Sequence, residues 1–149
     1  MRDVTQMPPD NHYDTKREQE VMQPDSVEAL SWLQTPDNLF RTFGGNGIRK
    51  GYAGKRAVDF VQCLYRRGAV RVTAVGVVRV QGEYVRHEAT KRGLPETDVM
   101  EATDRLVVEM PSESGGQAEL INQWANTFGR RMFDVPTDTG QKYLFYWWD

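Results

Sequence analysis

Cysteine is nearly absent from this chain: Cys63 is the only one in 149 residues. A single thiol excludes an internal disulfide and a cysteine-based zinc centre. Cys63 falls beside an apolar helical stripe, which reads as a small boundary hydrophobe, with a reactive thiol as the alternative. Histidine is almost as scarce. His12 lies in a polar N-terminal stretch and His87 in a short charged one, so a two-histidine metal site is not expected. No apolar run approaches the length of a membrane span, and no apolar core follows Met1 as a secretory leader would require. No serine, cysteine or lysine stands in a nucleophile motif, and there is no internal repeat. These absences predict a cytoplasmic chain with no membrane partner, no metal and no cofactor.

The most informative stretch present is Gly54 to Val80. Ala57, Val58, Val61, Leu64 and Tyr65 share one face at helical spacing. Arg66 and Arg67 suit the negative end of that helix, and Gly68 stops it. The pattern then switches to period two. Val70 to Val80 reads as one long strand, with Val75 and Val77 making the centre of its second face apolar.

Around this unit the chain predicts further elements. Residues 1–24 read as a flexible polar arm and 25–149 as one α+β domain. Asp25 to Glu28 resembles a capping box for a helix ending near Gln34. Thr35-Pro36 predicts a second short helix carrying Leu39, Phe40 and Phe43. Residues 48–52 are a candidate short strand, and 83–88 a polar strand after the Gln81-Gly82 turn. Residues 90–104 read as loop. Arg105 to Met110 is a strand, Ala118 to Phe128 a helical stripe, and Tyr143 to Trp148 a final strand. The crossover between those two strands predicts that they run parallel. The α-β-β-α-β order suggests a ferredoxin-like two-layer sandwich with short N-terminal helices.

Two features bear on function. The last strand, YLFYWW, is aromatic on both alternating sets of positions, so each face needs a cover. The N-terminal helices, a second copy of the chain, or another protein or a ligand could supply it. Tyr146, Trp148, Leu144, Val75 and Val77 are the candidate protein-interface residues. Charge is also segregated: residues 1–38 carry a net −5, 39–92 a net +9 and 93–149 a net −6. The acidic flanks either fold back on the basic block or leave it for an anionic partner. Within the block, Arg49, Lys50, Lys55 and Arg56, with Gly51 and Gly54, form a glycine-rich basic loop entering a helix, the candidate site for phosphate or nucleic acid. It matches no P-loop, since Arg49 stands where the first glycine belongs. His87 as a catalytic group, and Asp98, Glu101 and Asp104 as a divalent-ion edge, are weaker alternatives. The reading that results is a small non-catalytic domain binding a protein partner or itself. Nucleic-acid or phosphate binding through residues 41–71 is the alternative, and an enzyme of unreadable class a second one.

Overall fold

A computed structural model describes residues 12–44, 51–128 and 139–148. The elements in order are α1 (His12–Val21), β1 (Val27–Glu28), α2 (Ala29–Leu33), β2 (Phe40–Phe43), β3 (Tyr52–Ala53), α3 (Gly54–Arg66), β4 (Arg71–Val75), β5 (Val78–Gln81), α4 (Glu83–Lys91), β6 (Val99–Thr103), β7 (Arg105–Glu109), α5 (Ser114–Phe128) and β8 (Tyr143–Trp147). Helix and strand mix in an α+β arrangement with two four-stranded sheets, ordered β1-β4-β7-β8 and β3-β2-β6-β5.

The two sheets share one bent ribbon. β4 pairs with β7 from Arg71↔Glu109 to Val75↔Arg105, and β5 pairs with β6 from Val78↔Ala102 to Gln81↔Val99. The register runs on unchanged across the break. The long strand expected over 70–80 is instead two, β4 and β5, in different sheets, with the ribbon turning a corner between them. The corner is made at Gly76, whose φ of 65° few other residues adopt, and the Thr103 hydroxyl donates to the Val75 carbonyl there.

Alternation along the first sheet sorts its two faces. Val72, Ala74, Leu106, Val108, Leu144 and Tyr146 face the main core, where α3 contributes Ala57, Val61 and Leu64 and α5 contributes Leu120 and Trp124. Val75, Val107 and Tyr143 face the other way, beneath Tyr13 and Val21 of α1 and beside Phe145. Burying each large apolar side chain contributes about 1.5–3 kcal/mol, so both faces contribute.

Several expectations need correction. β7 and β8 are antiparallel neighbours, Arg105↔Trp147 to Glu109↔Tyr143, not parallel. Fourteen residues separate Phe128 from Tyr143, a connection long enough for β8 to be entered from either end. The strands thus form two sheets rather than the single sheet of a ferredoxin-like sandwich. Phe40 to Phe43 is a strand, not a helix: all four residues are buried because β2 lies inside its sheet, between β3 and β6. Residues 83–91 are a helix, not a polar strand, with Val85 and Ala89 buried four residues apart. Residues 90–104 contain β6 as well as loop. Of the arm expected at 1–24, residues 1–11 lie outside the described residues and 12–21 form α1; of the short strand expected at 48–52, residues 48–50 lie outside them, and β3 is at Tyr52–Ala53.

α3 and α4 end alike. Ala69 N–H donates to Leu64 O at 3.1 Å and Gly68 N–H to Tyr65 O at 3.0 Å. After α4, Leu94 N–H reaches Ala89 O at 2.9 Å and Gly93 N–H reaches Thr90 O at 3.0 Å. Both glycines have positive φ, and both ends satisfy the last carbonyls in the Schellman manner. α2 starts on Glu28, whose carboxylate accepts from Leu30 N–H at 2.9 Å and Ser31 N–H at 2.7 Å.

Candidate interaction surface

The predicted interface residues divide between the two faces. Leu144 and Tyr146 are fully buried in the main core. The Tyr146 hydroxyl donates to Gln123 Oε1, and burial pushes its phenol well above the usual range. Trp148 is half-buried among Phe43, Phe128 and Tyr146, with ring centroids 5.7, 5.3 and 5.8 Å away. It sits where β2 and β8 meet end to end: Gly44 N–H donates to Thr103 O and Trp148 N–H to Asp104 O, each at 3.0 Å. A Cβ on Gly44 would lie 3.0 Å from the Trp148 ring, and φ there is 81°. Val75 is buried on the opposite face and Val77 packs against the main core. Tyr146 and Leu144 are thus interior groups, because the helices α3 and α5 lie on their side of the sheet.

The outer face is covered by α1, not by the segment carrying Trp32, Phe40 and Phe43, which enter the cores. The Arg17 guanidinium stacks 3.8 Å from the centre of the Phe145 ring. Its Nε lies 2.7 Å from Glu20 Oε1, close enough for charge pairing but not aligned as a hydrogen bond. Glu20 also meets Arg105 at 3.4 Å. Burial raises the Tyr13 phenol above its usual value, against the opposing effect of Arg17.

β8 is an edge strand, and its free edge is partly closed. Trp148 N–H bonds to Asp104 and Met110 N–H to Lys142 O, so alternation turns the backbone groups of residues 143, 145 and 147 outward. Tyr143 N–H donates to Asp14 Oδ1 at 3.3 Å, and Phe145 O accepts from the Trp124 indole at 2.8 Å. At residue 147 no described side chain does the same. Trp147 is 50% exposed, on the same face as Phe145 and just beyond the helix that covers it. Alternation placed Trp147 with Tyr143 and Phe145, but nothing in the sequence showed that α1 would stop short of it.

Six of the twelve basic residues in the block are met by acids. Arg41 makes a bidentate pair with Asp37 at 2.6 and 2.7 Å and reaches Glu101 at 3.1 Å. Glu101 also takes Arg79 at 3.2 Å and the Trp32 indole at 3.0 Å. Burial alone would raise the Glu101 carboxyl, but these donors outweigh it and hold it below its ordinary value. Arg67 meets Glu119, Arg86 meets Glu96 and Asp98, and Arg92 meets Glu88. Lys55 pairs with Asp59 at 2.8 Å and Arg56 lies 4.6 Å over the Tyr52 ring. Gly51 is buried against Thr42, and Gly54 opens α3 with φ 59°. Arg49 and Lys50 lie outside the described residues. The acidic flanks therefore fold back on the basic segment at Arg41, Arg67, Arg79 and Arg86.

His87 is exposed on α4, away from any strand. Asp98, Glu101 and Asp104 do not form a helical edge; they flank or join β6, and Glu101 is engaged by Arg41 and Arg79. Among the described residues, no group of His, Cys, Asp and Glu is placed to hold a metal ion, and no helix is long and apolar enough to cross a membrane. Compared with protein-family models, curated proteins and solved structures, the chain matches none.

Proposed function

We propose that this chain is a small non-catalytic interaction domain that binds another protein through the rim of the outer sheet face, centred on Trp147. The observation that carries this reading is the half-exposed indole on an edge strand, beside an aromatic face and next to outward backbone groups. Tryptophan at such a position is a strong contact anchor, and a strand edge adds backbone hydrogen bonds to a partner segment. The neutralisation of Arg41, Arg67, Arg79 and Arg86 by acids of the flanks favours a protein over a nucleic acid. A reducing compartment such as the cytoplasm suits its lone cysteine.

The test is a photo-crosslinking residue placed at position 147 in the source cell. A discrete protein adduct, unaffected by nuclease and missing when the crosslinker is moved to the buried position 144, supports the reading. Adducts only with nucleic acid, or none at 147, would refute it.

A further inference from the structure

α1 is a cover with little apolar content of its own. Tyr13 and Val21 are the apolar side chains that it packs on the face below. The rest of its hold is polar. The Asp14 carboxylate accepts from Lys142 N–H at 2.9 Å and Tyr143 N–H at 3.3 Å. Three residues on, Arg17 stacks on Phe145, and three further on, Glu20 reaches Arg105. A helix of 10 residues is too short to be stable alone in water, so α1 is helical because it is docked.

The chain that follows is the joint, a short turn in which Gln23 N–H donates to Glu20 O at 3.2 Å, Ser26 N–H to Gln23 O at 3.0 Å and the Ser26 hydroxyl to Glu20 O at 2.7 Å. Met22 to Asp25 are exposed, Met22 by 77%. Immediately afterwards the chain is fastened: Val77 N–H donates to Asp25 O at 2.9 Å, Val27 pairs with Ala74, and Glu28 caps α2. An element without a core of its own is thus joined by an exposed segment to a body that has one. When α1 leaves, Val75, Val107, Tyr143 and Phe145 lose their cover, and the N–H groups of Lys142 and Tyr143 lose their acceptor.

We propose that α1 is exchangeable: it seats on its own sheet in the monomer, and on the same face of a second copy in a reciprocally swapped dimer. This goes beyond the reading of Trp147 as a contact for another protein: the second copy's α1 takes the seat of the chain's own α1, over Val75, Val107, Tyr143 and Phe145. The face is matched to a helix presenting a carboxylate, then a guanidinium three residues on, then a carboxylate three further. A second copy carries that pattern by identity, and reciprocal seating closes with two-fold symmetry. In the monomer the short tether keeps α1 at an effective concentration on the order of millimolar, so the closed form dominates when dilute. Shortening the joint removes that advantage.

The experiment uses the full chain with Met22 to Pro24 deleted, and its mass by light scattering. The expected result is a dimer that an excess of synthetic peptide spanning residues 12–26 converts to monomers. A monomer, or a dimer that the peptide leaves intact, would overturn the proposal. Should that deletion fail to fold, the labelled peptide is titrated into the wild-type chain and into an Asp14→Ala, Arg17→Ala chain. Binding to the double variant about tenfold tighter or more is expected, because its own α1 competes poorly. Equal binding, or none to either, would overturn exchange. Neither negative result touches a partner protein crosslinked at Trp147, so the two readings fail separately.

Discussion

Arg41 is buried on β2 between two carboxylates, and its removal isolates charges that the fold has desolvated. Glu101 keeps Arg79 and the Trp32 indole but loses the more buried of its two cations, and Asp37 loses both of its strong hydrogen bonds. Arg41→Met is expected to cost about 2–4 kcal/mol in urea unfolding. Arg41→Met with Glu101→Gln should recover part of that loss, because the stranded carboxylate is gone. The same cluster sets an acid limit. Chiefly through the hydrogen bonds from Arg41, Asp37 titrates at about 2 in the folded chain, below its ordinary 3.8. Glu101 and Glu28 are lowered too, their hydrogen bonds outweighing burial. The unfolded chain therefore takes up these protons first as pH falls. Stability is full above about pH 4.5 and declines as pH drops toward about 2, a fall that urea midpoints will show and that Asp37→Asn will make shallower. Little of this was legible in the sequence. Arg41 read only as one more cation of the basic block, because a net charge by segment does not say which arginine will be enclosed.

At the scale of elements, local signals were readable where one principle acted alone. The stripe of α3, its Gly68 stop and the apolar β7 are all present. α4 was missed because Val85 and Ala89 are its only buried residues, while the Gln81-Gly82 pair resembled a hairpin turn. The better signal was Arg92-Gly93-Leu94, a helix stop with an apolar residue after it, matching Arg67-Gly68-Ala69. β2 was missed because Pro36 suggested a helix start, and burial on both faces hides period-two alternation. The corner at Gly76 could not be foreseen: a glycine in an apolar strand fits a packing contact as well as a bend. Its role is testable. Gly76→Ala places a Cβ against Arg105 Nη2 at a φ of 65°. A cost of about 1–2 kcal/mol is expected from the backbone alone. Because Arg105 must move and Glu20 loses it, the variant's α1 amides should exchange faster with solvent than those of wild type, while β4 and β7 amides stay protected.

For the whole molecule, the two-sided aromatic strand organises the architecture as its alternation suggested, but with the roles of its faces assigned differently. Leu144 and Tyr146 are structural: Tyr146→Phe strands Gln123 in the core and should cost about 1–2 kcal/mol in thermal or urea unfolding. Tyr143 and Phe145 lie under α1, and Trp147 is left at the rim. The exposed indole contributes little to folding, so Trp147 separates binding from stability in a way no other aromatic of β8 can. The most direct measurement is a paired one on Trp147→Ser: the unfolding midpoint of the purified chain, and the protein recovered with it from cells after nuclease treatment. A midpoint within about 0.5 kcal/mol of wild type, with the partner lost, is the predicted result. Recovery of the same protein by the variant, or recovery that depends on nucleic acid, would contradict it.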